Sequence, residues 1–405
     1  MNKWFAVAAV VVLCLALVIG VGCGGDDENG NGNGDGDGGV TELKFGFGLA
    51  LGGMAGAVVG VPNSYAQKMA ADDIGVFEVG GKQYRWKPIH EDNEFTTAGG
   101  ALTAAKFIYE DDVDFMWQMG VDPSNAAYDY CHEAEIILDA SGLSLYQLGP
   151  EKPYLFQTGA TLETFFAHFF DWLNRDHPEA QHVVFAMDDT AGQAASDVFS
   201  GACEYYGLEY TSILYPYGTM EFYPVATRIM AEKPDLIYVD QRAYDVLWEM
   251  GYEGLFVSAI FSETMYGQLD WSKAAGHVVL TGPHQYGPWP EVRAFKARFE
   301  EEHGMEAILW PCFAYETLFV WTEILKNAGT VDDVDKIIET AETAVFEDTP
   351  YGACFFGGEE LNGIGHVLVA EDAISIITGE GEFELLEHIT AEENDAVTVE
   401  VYGGK

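Results

Sequence analysis

The chain has 405 residues, 48% hydrophobic and 14% aromatic, with 19 basic against 66 acidic side chains and a net charge of −47. A surface this negative repels phosphate backbones and anionic headgroups, which excludes nucleic acid as a partner and a membrane held by charge. Scarce Lys and Arg fit a saline habitat or an ordinary exported acidic protein equally, and the length suits two cores better than one.

Lys3 opens a short basic start, Trp4 to Val21 is apolar, and Gly22-Cys23 precedes a Gly/Asn/Asp tract ending at Gly39. Basic, apolar and small-residue regions in that order read as a secretory signal over residues 1–22. A cysteine directly after the small residue resembles a bacterial lipoprotein signal, although Gly20 stands where such signals usually carry Leu. That resemblance implies lipidation of Cys23 and an extracytoplasmic protein anchored to the cell membrane, in the periplasm or at the cell surface. An uncleaved membrane anchor and plain secretion are the alternatives, since roughly 18 apolar residues can span a bilayer. Residues 23–39 cannot bury apolar surface and read as a disordered linker after the lipidated cysteine.

Beyond the linker, strand-length apolar runs alternate with amphipathic helical stretches. Strands are expected at Leu43–Phe47, Tyr84–Ile89, Val113–Gln118, Glu135–Asp139, His182–Met187, Leu208–Leu214, Asp235–Val239, Leu255–Ser258 and His277–Thr281. Helical patterns lie between them, near Ser64–Asp72, Ala98–Tyr109, Ser124–Ala134, Thr161–Asn174, Ala191–Tyr206, Met220–Ala231 and Ala243–Met250. This order predicts an α/β protein with parallel sheets covered on both faces. Helices Pro290–His303, Cys312–Asn327 and Val331–Ala344 follow, then short strands at Ala353–Phe356, His366–Val369 and Ala373–Thr378. Breaks near 151–153, 286–290 and 348–350 divide the chain into lobe 1 (40–153 and 287–348) and lobe 2 (154–286 and 349–390), with 391–405 as a C-terminal tail. Three crossings would make a three-strand hinge, with a ligand site in the cleft beyond the carboxyl ends of the strands.

Cys131, Cys203, Cys312 and Cys354 show no CxxC spacing, which argues against a metal site. Export permits disulfides, but their apolar settings favour buried thiols. GxGxxG, GxxxxGK[ST] and GxSxG are all absent, so no cofactor, metal or catalytic role is expected.

Several stretches in order resemble the branched-chain amino acid (Leu/Ile/Val) binding family, the extracellular solute-binding proteins of ABC importers. They are Leu43–Gly48 with the loop to Gly60, Glu91–Asn93, Tyr154–Thr158, Val183–Asp189 with Gly192, Lys233–Val239, Ala314–Glu316 and Thr349–Gly352. The resemblance implies a type I periplasmic binding protein fold, two Rossmann-like lobes joined by a three-strand hinge. It implies a monomer that closes on a small solute, catalyses nothing and docks on ABC permease transmembrane subunits. A sensory module presenting the solute to a membrane receptor is the alternative use.

Position by position, the resemblance points to Met54, Ser124, Ser141, Ser144, Ala191, Gln241 and Glu263 as ligand-binding, and Trp117 near the first loop, Arg242 at a strand end and Tyr286 beside the hinge join them on their own chemistry. Leu51–Met54 replaces a hydroxyl-bearing loop, and Ala191 replaces the turn tyrosine. Arg242 suits a carboxylate. Core packing is the plain alternative for Trp117, and a helix cap for Ser124. These departures favour an organic acid with an apolar or aromatic body over an aliphatic amino acid.

Overall fold

The computed structural model describes residues 39–142, 145–159, 161–189, 192–216, 218–239, 243–258, 271–281, 287–380 and 382–403. The first part of the chain runs β1 (Thr41–Leu49), α1 (Val61–Ile74), β2 (Phe77–Val79), β3 (Lys82–Asp92), α2 (Thr97–Lys106), β4 (Phe115–Met119), α3 (Val121–Ala134), β5 (Leu138–Ser141) and β6 (Leu155–Phe156). These strands form a sheet in the order β2-β3-β1-β4-β5-β6, parallel except for the β2–β3 hairpin.

The sequence of β1 shows why it lies in the middle. Phe45 and Phe47 point to one face and stack with ring centroids 4.5 Å apart. Gly46 and Gly48 occupy the other face, where an added Cβ would meet the Phe107 ring at 2.8 Å and the Gln118 amide at 2.1 Å. Alternation of period two thus gives one aromatic face and one face open to close approach.

The next part runs α4 (Leu162–Asp176), β7 (His182–Asp188), α5 (Gly192–Tyr206), β8 (Glu209–Tyr215), α6 (Tyr223–Glu232), β9 (Leu236–Tyr238), α7 (Tyr244–Glu249), β10 (Leu255–Ser258) and β11 (Val278–Thr281). Then come α8 (Pro290–His303), α9 (Leu309–Ala328), α10 (Val334–Thr343), β12 (Val345–Phe346), β13 (Cys354–Gly357), β14 (Val367–Ala370), β15 (Asp372–Gly379), β16 (Glu382–Ile389) and α11 (Ala391–Tyr402). The second sheet is ordered β16-β15-β11-β10-β9-β7-β8, with β15 antiparallel to both its neighbours, β11 and β16, and every other pair parallel. Strands β12, β13 and β14 make a small antiparallel sheet.

Two main cores result. The first gathers Phe45, Phe47, Trp86 and Phe115 around the fully buried Trp321 of α9. The second gathers Phe166, Phe170, Phe185, Phe199 and Tyr238 between α4, α5 and the second sheet. Each buried aromatic of this kind stabilises by roughly 1.5–3 kcal/mol. Cys131, Cys203, Cys312 and Cys354 are free, buried thiols, as their apolar settings suggest.

Besides the unexpected strands β2 and β16, three details depart from the sequence reading. The strand expected at Glu135–Asp139 begins only at Leu138, after Glu135 ends α3 in a left-handed conformation. The chain enters the second sheet finally at Asp372, not near 348–350, because β13 and β14 pack with first-sheet residues such as Phe156 and Leu155. The presumed tail holds α11, started by a capping box between Thr390 and Glu393.

Candidate functional site

Strand directions around Glu371 locate the site. Glu371 alone separates β14 from β15. β14 runs parallel to the continuation of β6, with Gln157 bridging Val367, so it ends on the carboxyl side of the first sheet. β15 starts beside the last residue of β11, with Ala373 paired to Thr281, on the carboxyl side of the second. One residue therefore joins the two carboxyl edges, and the loops beyond them form the candidate site.

On the first lobe, the loop after β1 folds tightly. A Cβ on Gly60 would lie 1.6 Å from the Ala50 carbonyl oxygen, so only glycine permits this approach. Asp92 accepts hydrogen bonds from the Leu51 and Glu94 amides at 3.0 and 2.9 Å, joining the loops after β1 and β3. Buried Asn93 donates to the Gly48 and Met119 carbonyls and to Gln118 Oε1, each at 3.0 Å, fixing the ends of β1 and β4.

Sequence reasoning missed Phe95. Both Glu94 and Phe95 adopt left-handed backbone conformations, with φ of 54° and 56°, which cost non-glycine residues about 1–2 kcal/mol each. The Phe95 ring is 51% exposed and lies against Gly120, where a Cβ would meet it at 2.7 Å. A large, exposed aromatic held in a strained turn at the carboxyl edge makes Phe95 a candidate ligand contact. The signal in sequence was Phe95 directly after the polar Asn93-Glu94 and two residues before a helix start.

Four of the expected site residues are among the described ones. Ser141 ends β5, half-buried, and its carbonyl accepts the Gly120 amide at 3.1 Å. Ser124 is buried in the first turns of α3, and its hydroxyl donates to the Gly120 and Gln118 carbonyls at 2.6 and 3.1 Å. It is not the cap, since Gly120 holds that position with φ 97°. Trp117 is 3% exposed in the first core, tilted against Phe47, so the structure does not bring it to the loops. Met54 lies on a short helical turn, Gly53–Ala55, and its side chain is outside the description.

On the second lobe, Asp188 ends β7 and Asp189 follows it, and the Asp189 amide donates to the Tyr215 carbonyl at 2.8 Å. Ser144, Ala191, Gln241, Arg242, Glu263 and Tyr286 lie outside the described residues, as does Cys23. Among the described residues the rim is acidic, with Asp92, Glu94, Asp122 and Asp189 exposed. A groove of about 960 Å³, bordered by Tyr244, Trp248, Tyr252 and His277, opens instead at the amino ends of β9, β10 and β11. Its position on the wrong edge separates it from the site.

Beneath the joined edges lies a buried polar base. Asp139 accepts from the Thr158 amide and hydroxyl at 3.0 and 2.7 Å and from Trp321 Nε1 at 2.8 Å. Burial pushes its carboxyl up to about 7 in spite of those donors. His168 contacts Asp372 at 2.8 Å and Glu387 at 3.5 Å. Burial would lower that imidazole, but the two carboxylates outweigh it and raise it to about 9. Among the described residues no cluster of three His, Cys, Asp or Glu could hold a metal.

Comparison with known proteins gives one family and many structures. Residues 42–371 match the periplasmic binding protein family. No curated protein matches in sequence. An ABC transporter substrate-binding protein from Sphaerobacter thermophilus is 19% identical, covers 86% of this chain and 98% of its own, and superposes with a TM-score of 0.72. A solute binding protein of an ABC transporter from Rhodopseudomonas palustris BisB5, in complex with 3,4-dihydroxy benzoic acid, gives 19%, 86%, 98% and 0.70. The leucine binding protein LivK from Thermotoga maritima gives 16%, 87%, 99% and 0.67. Among the described residues no helix is long and apolar enough to cross a membrane.

Proposed function

Because the chain belongs to the periplasmic binding protein family, we propose that it captures one small organic solute between its lobes and delivers it to an ABC importer. Its role is binding, outside the cytoplasm, rather than catalysis. The observation that carries this reading is the single-residue join at Glu371, which sets the carboxyl edges of both sheets against one another. A solute touching both edges favours the closed arrangement, since only a ligand with different contacts in two states shifts their populations.

The favoured solute is an organic acid with an apolar or aromatic body, with an aliphatic amino acid as the competitor. Two features support the apolar or aromatic body: the exposed Phe95 ring and the hydroxyl-free turn at Gly52–Gly53. A protein of the same fold was solved with 3,4-dihydroxy benzoic acid. The acidic rim supports the competitor, because Asp92 and Glu94 suit an ammonium group. In this proposal Arg242 clamps the carboxylate, and Met54, Ser141, Ser144, Ala191, Gln241, Glu263 and Tyr286 complete the pocket. The chain acts as a monomer, tethered through lipidated Cys23.

A thermal-shift screen with separate panels of aliphatic amino acids and aromatic carboxylates tests this. A solute at about 100 times its dissociation constant adds roughly 2.7 kcal/mol of stability. Stabilisation by leucine or valine alone reverses the ligand preference. With a carboxylate ligand, Arg242→Ala weakens binding by about 1.5–3 kcal/mol; unchanged affinity removes Arg242 from the pocket.

A further inference from the structure

Two helices contribute to cores on both sides of the join. In α9, Leu309 and Phe313 belong to the second-lobe core, while Cys312 and residues from Ala314 to Ala328 belong to the first. In α11, Ala391 packs with Leu138 and Leu155 of the first sheet, and Val401 packs in the second-lobe core. A cavity of about 10 Å³ touches both helices, the room that a single water requires. Thr158 and Asp372, from the two described connections between lobes, also line it.

Two oxygens on the lining side chains are buried without a partner: Glu316 Oε2 and Asn394 Oδ1. Their residues are 1% and 4% exposed. The Asn394 amide is oriented by its Nδ2, which donates to the Ala370 carbonyl at 3.1 Å, so its oxygen is left as an acceptor. The other Glu316 oxygen faces the Thr349 hydroxyl at 3.4 Å, yet that hydroxyl already donates to the Gly352 carbonyl at 2.7 Å. Buried acceptors are rarely left unmet, and these two share one small void.

We propose that this cavity binds one water-sized guest that donates hydrogen bonds or carries a single positive charge, a water molecule or a monovalent cation, bridging Glu316 of α9 to Asn394 of α11. The guest ties together the two helices that enter both cores, at the base of the join. Burial holds the Glu316 carboxyl well above the usual carboxylate range, so water fits either protonation state and a cation fits only the ionised one. Glu371 of the join lines the cavity as well, and because the bridge is made by Glu316 and Asn394 the proposal does not depend on which solute the lobes take.

Crystals of the full chain grown in sodium and in rubidium salts, at a resolution that shows ordered waters, test it. The expected result is one density peak within about 3 Å of both Glu316 Oε2 and Asn394 Oδ1. A peak without rubidium anomalous signal identifies water, and one with that signal identifies a cation; both support the proposal. An empty cavity in both salts overturns it. In solution, Glu316→Gln and Asn394→Leu, singly and together, give a double-mutant cycle in melting temperature. A shared guest makes the double loss clearly smaller than the sum of the single losses, and strictly additive losses overturn it.

Discussion

The acids of this chain occupy two regions with opposite physics. At the cleft edge, Asp92, Glu94 and Asp189 are exposed, and Asp92 serves the backbone by accepting two amides. At the base of the join, Asp139, Glu316 and Asp372 are at most 3% exposed, and burial raises all three carboxyls. The difference lies in the partners. Water surrounds the first set, so their charge costs little, whereas neutral donors surround Asp139 and burial favours its proton. One residue type therefore sets surface charge in one place and holds connections together in the other.

The largest expected effect separates these regions. Asp139→Ala leaves the Thr158 amide, the Thr158 hydroxyl and the Trp321 indole without their acceptor, and chemical denaturation should show a loss of about 3 kcal/mol or more. A loss below about 1 kcal/mol would mean that water reaches those donors and that the base is not a sealed network.

Stability against pH comes next. The Asp139 carboxyl is raised to about 7 in the folded chain, against an unfolded value near 4. Its contribution is full below about pH 4 and is lost as pH rises through about 7, at up to roughly 1.4 kcal/mol per pH unit. His168, raised to about 9, acts in the same direction in a higher window, full below about pH 6.5 and lost as pH rises through about 9. Burial, with Lys68 adding to it, holds His90 down to about 4, and its contribution runs the other way, growing as pH rises from about 4 to 6.5. Asp139→Asn should flatten the fall in stability as pH rises from about 4 to about 7 in urea titrations, and an unchanged slope would assign that fall elsewhere.

Smaller effects sharpen the other half of the comparison. Asp92→Ala removes one acceptor from two exposed amides and should cost about 1 kcal/mol by thermal melting. Glu42→Ala breaks exposed pairs with Arg85 and Lys87 and should leave the melting temperature unchanged within error. A loss from Glu42→Ala as large as that from Asp92→Ala would break the rule that exposed charge matters least here.

Most of the architecture was legible because the apolar runs of β1, β4, β7 and β10 are buried on both faces and stand out from their surroundings. The misses share a cause. β16 reads Glu-Phe-Glu-Leu-Leu-Glu-His-Ile and lies at an exposed sheet edge, so polarity hides it. α11 lacks a clear apolar stripe, although Thr390 and Glu393 announced its start. The site was less legible than the fold. Ser141 lies at the carboxyl edge, whereas Trp117 lies in the core, because both faces of β4 are buried and nearness in sequence to a loop does not bring a strand residue to it. Phe95 went unseen because its one signal, a place between polar residues and a helix start, is weak, and its exposure depends on a left-handed turn.

The measurement that tests the central claim most directly is small-angle X-ray scattering of the chain with and without its saturating solute, once the thermal screen has supplied one. Two lobes closing on a shared ligand predict a smaller radius of gyration in the bound form. An unchanged radius with the solute bound would contradict a site made by both carboxyl edges and leave binding to one lobe alone.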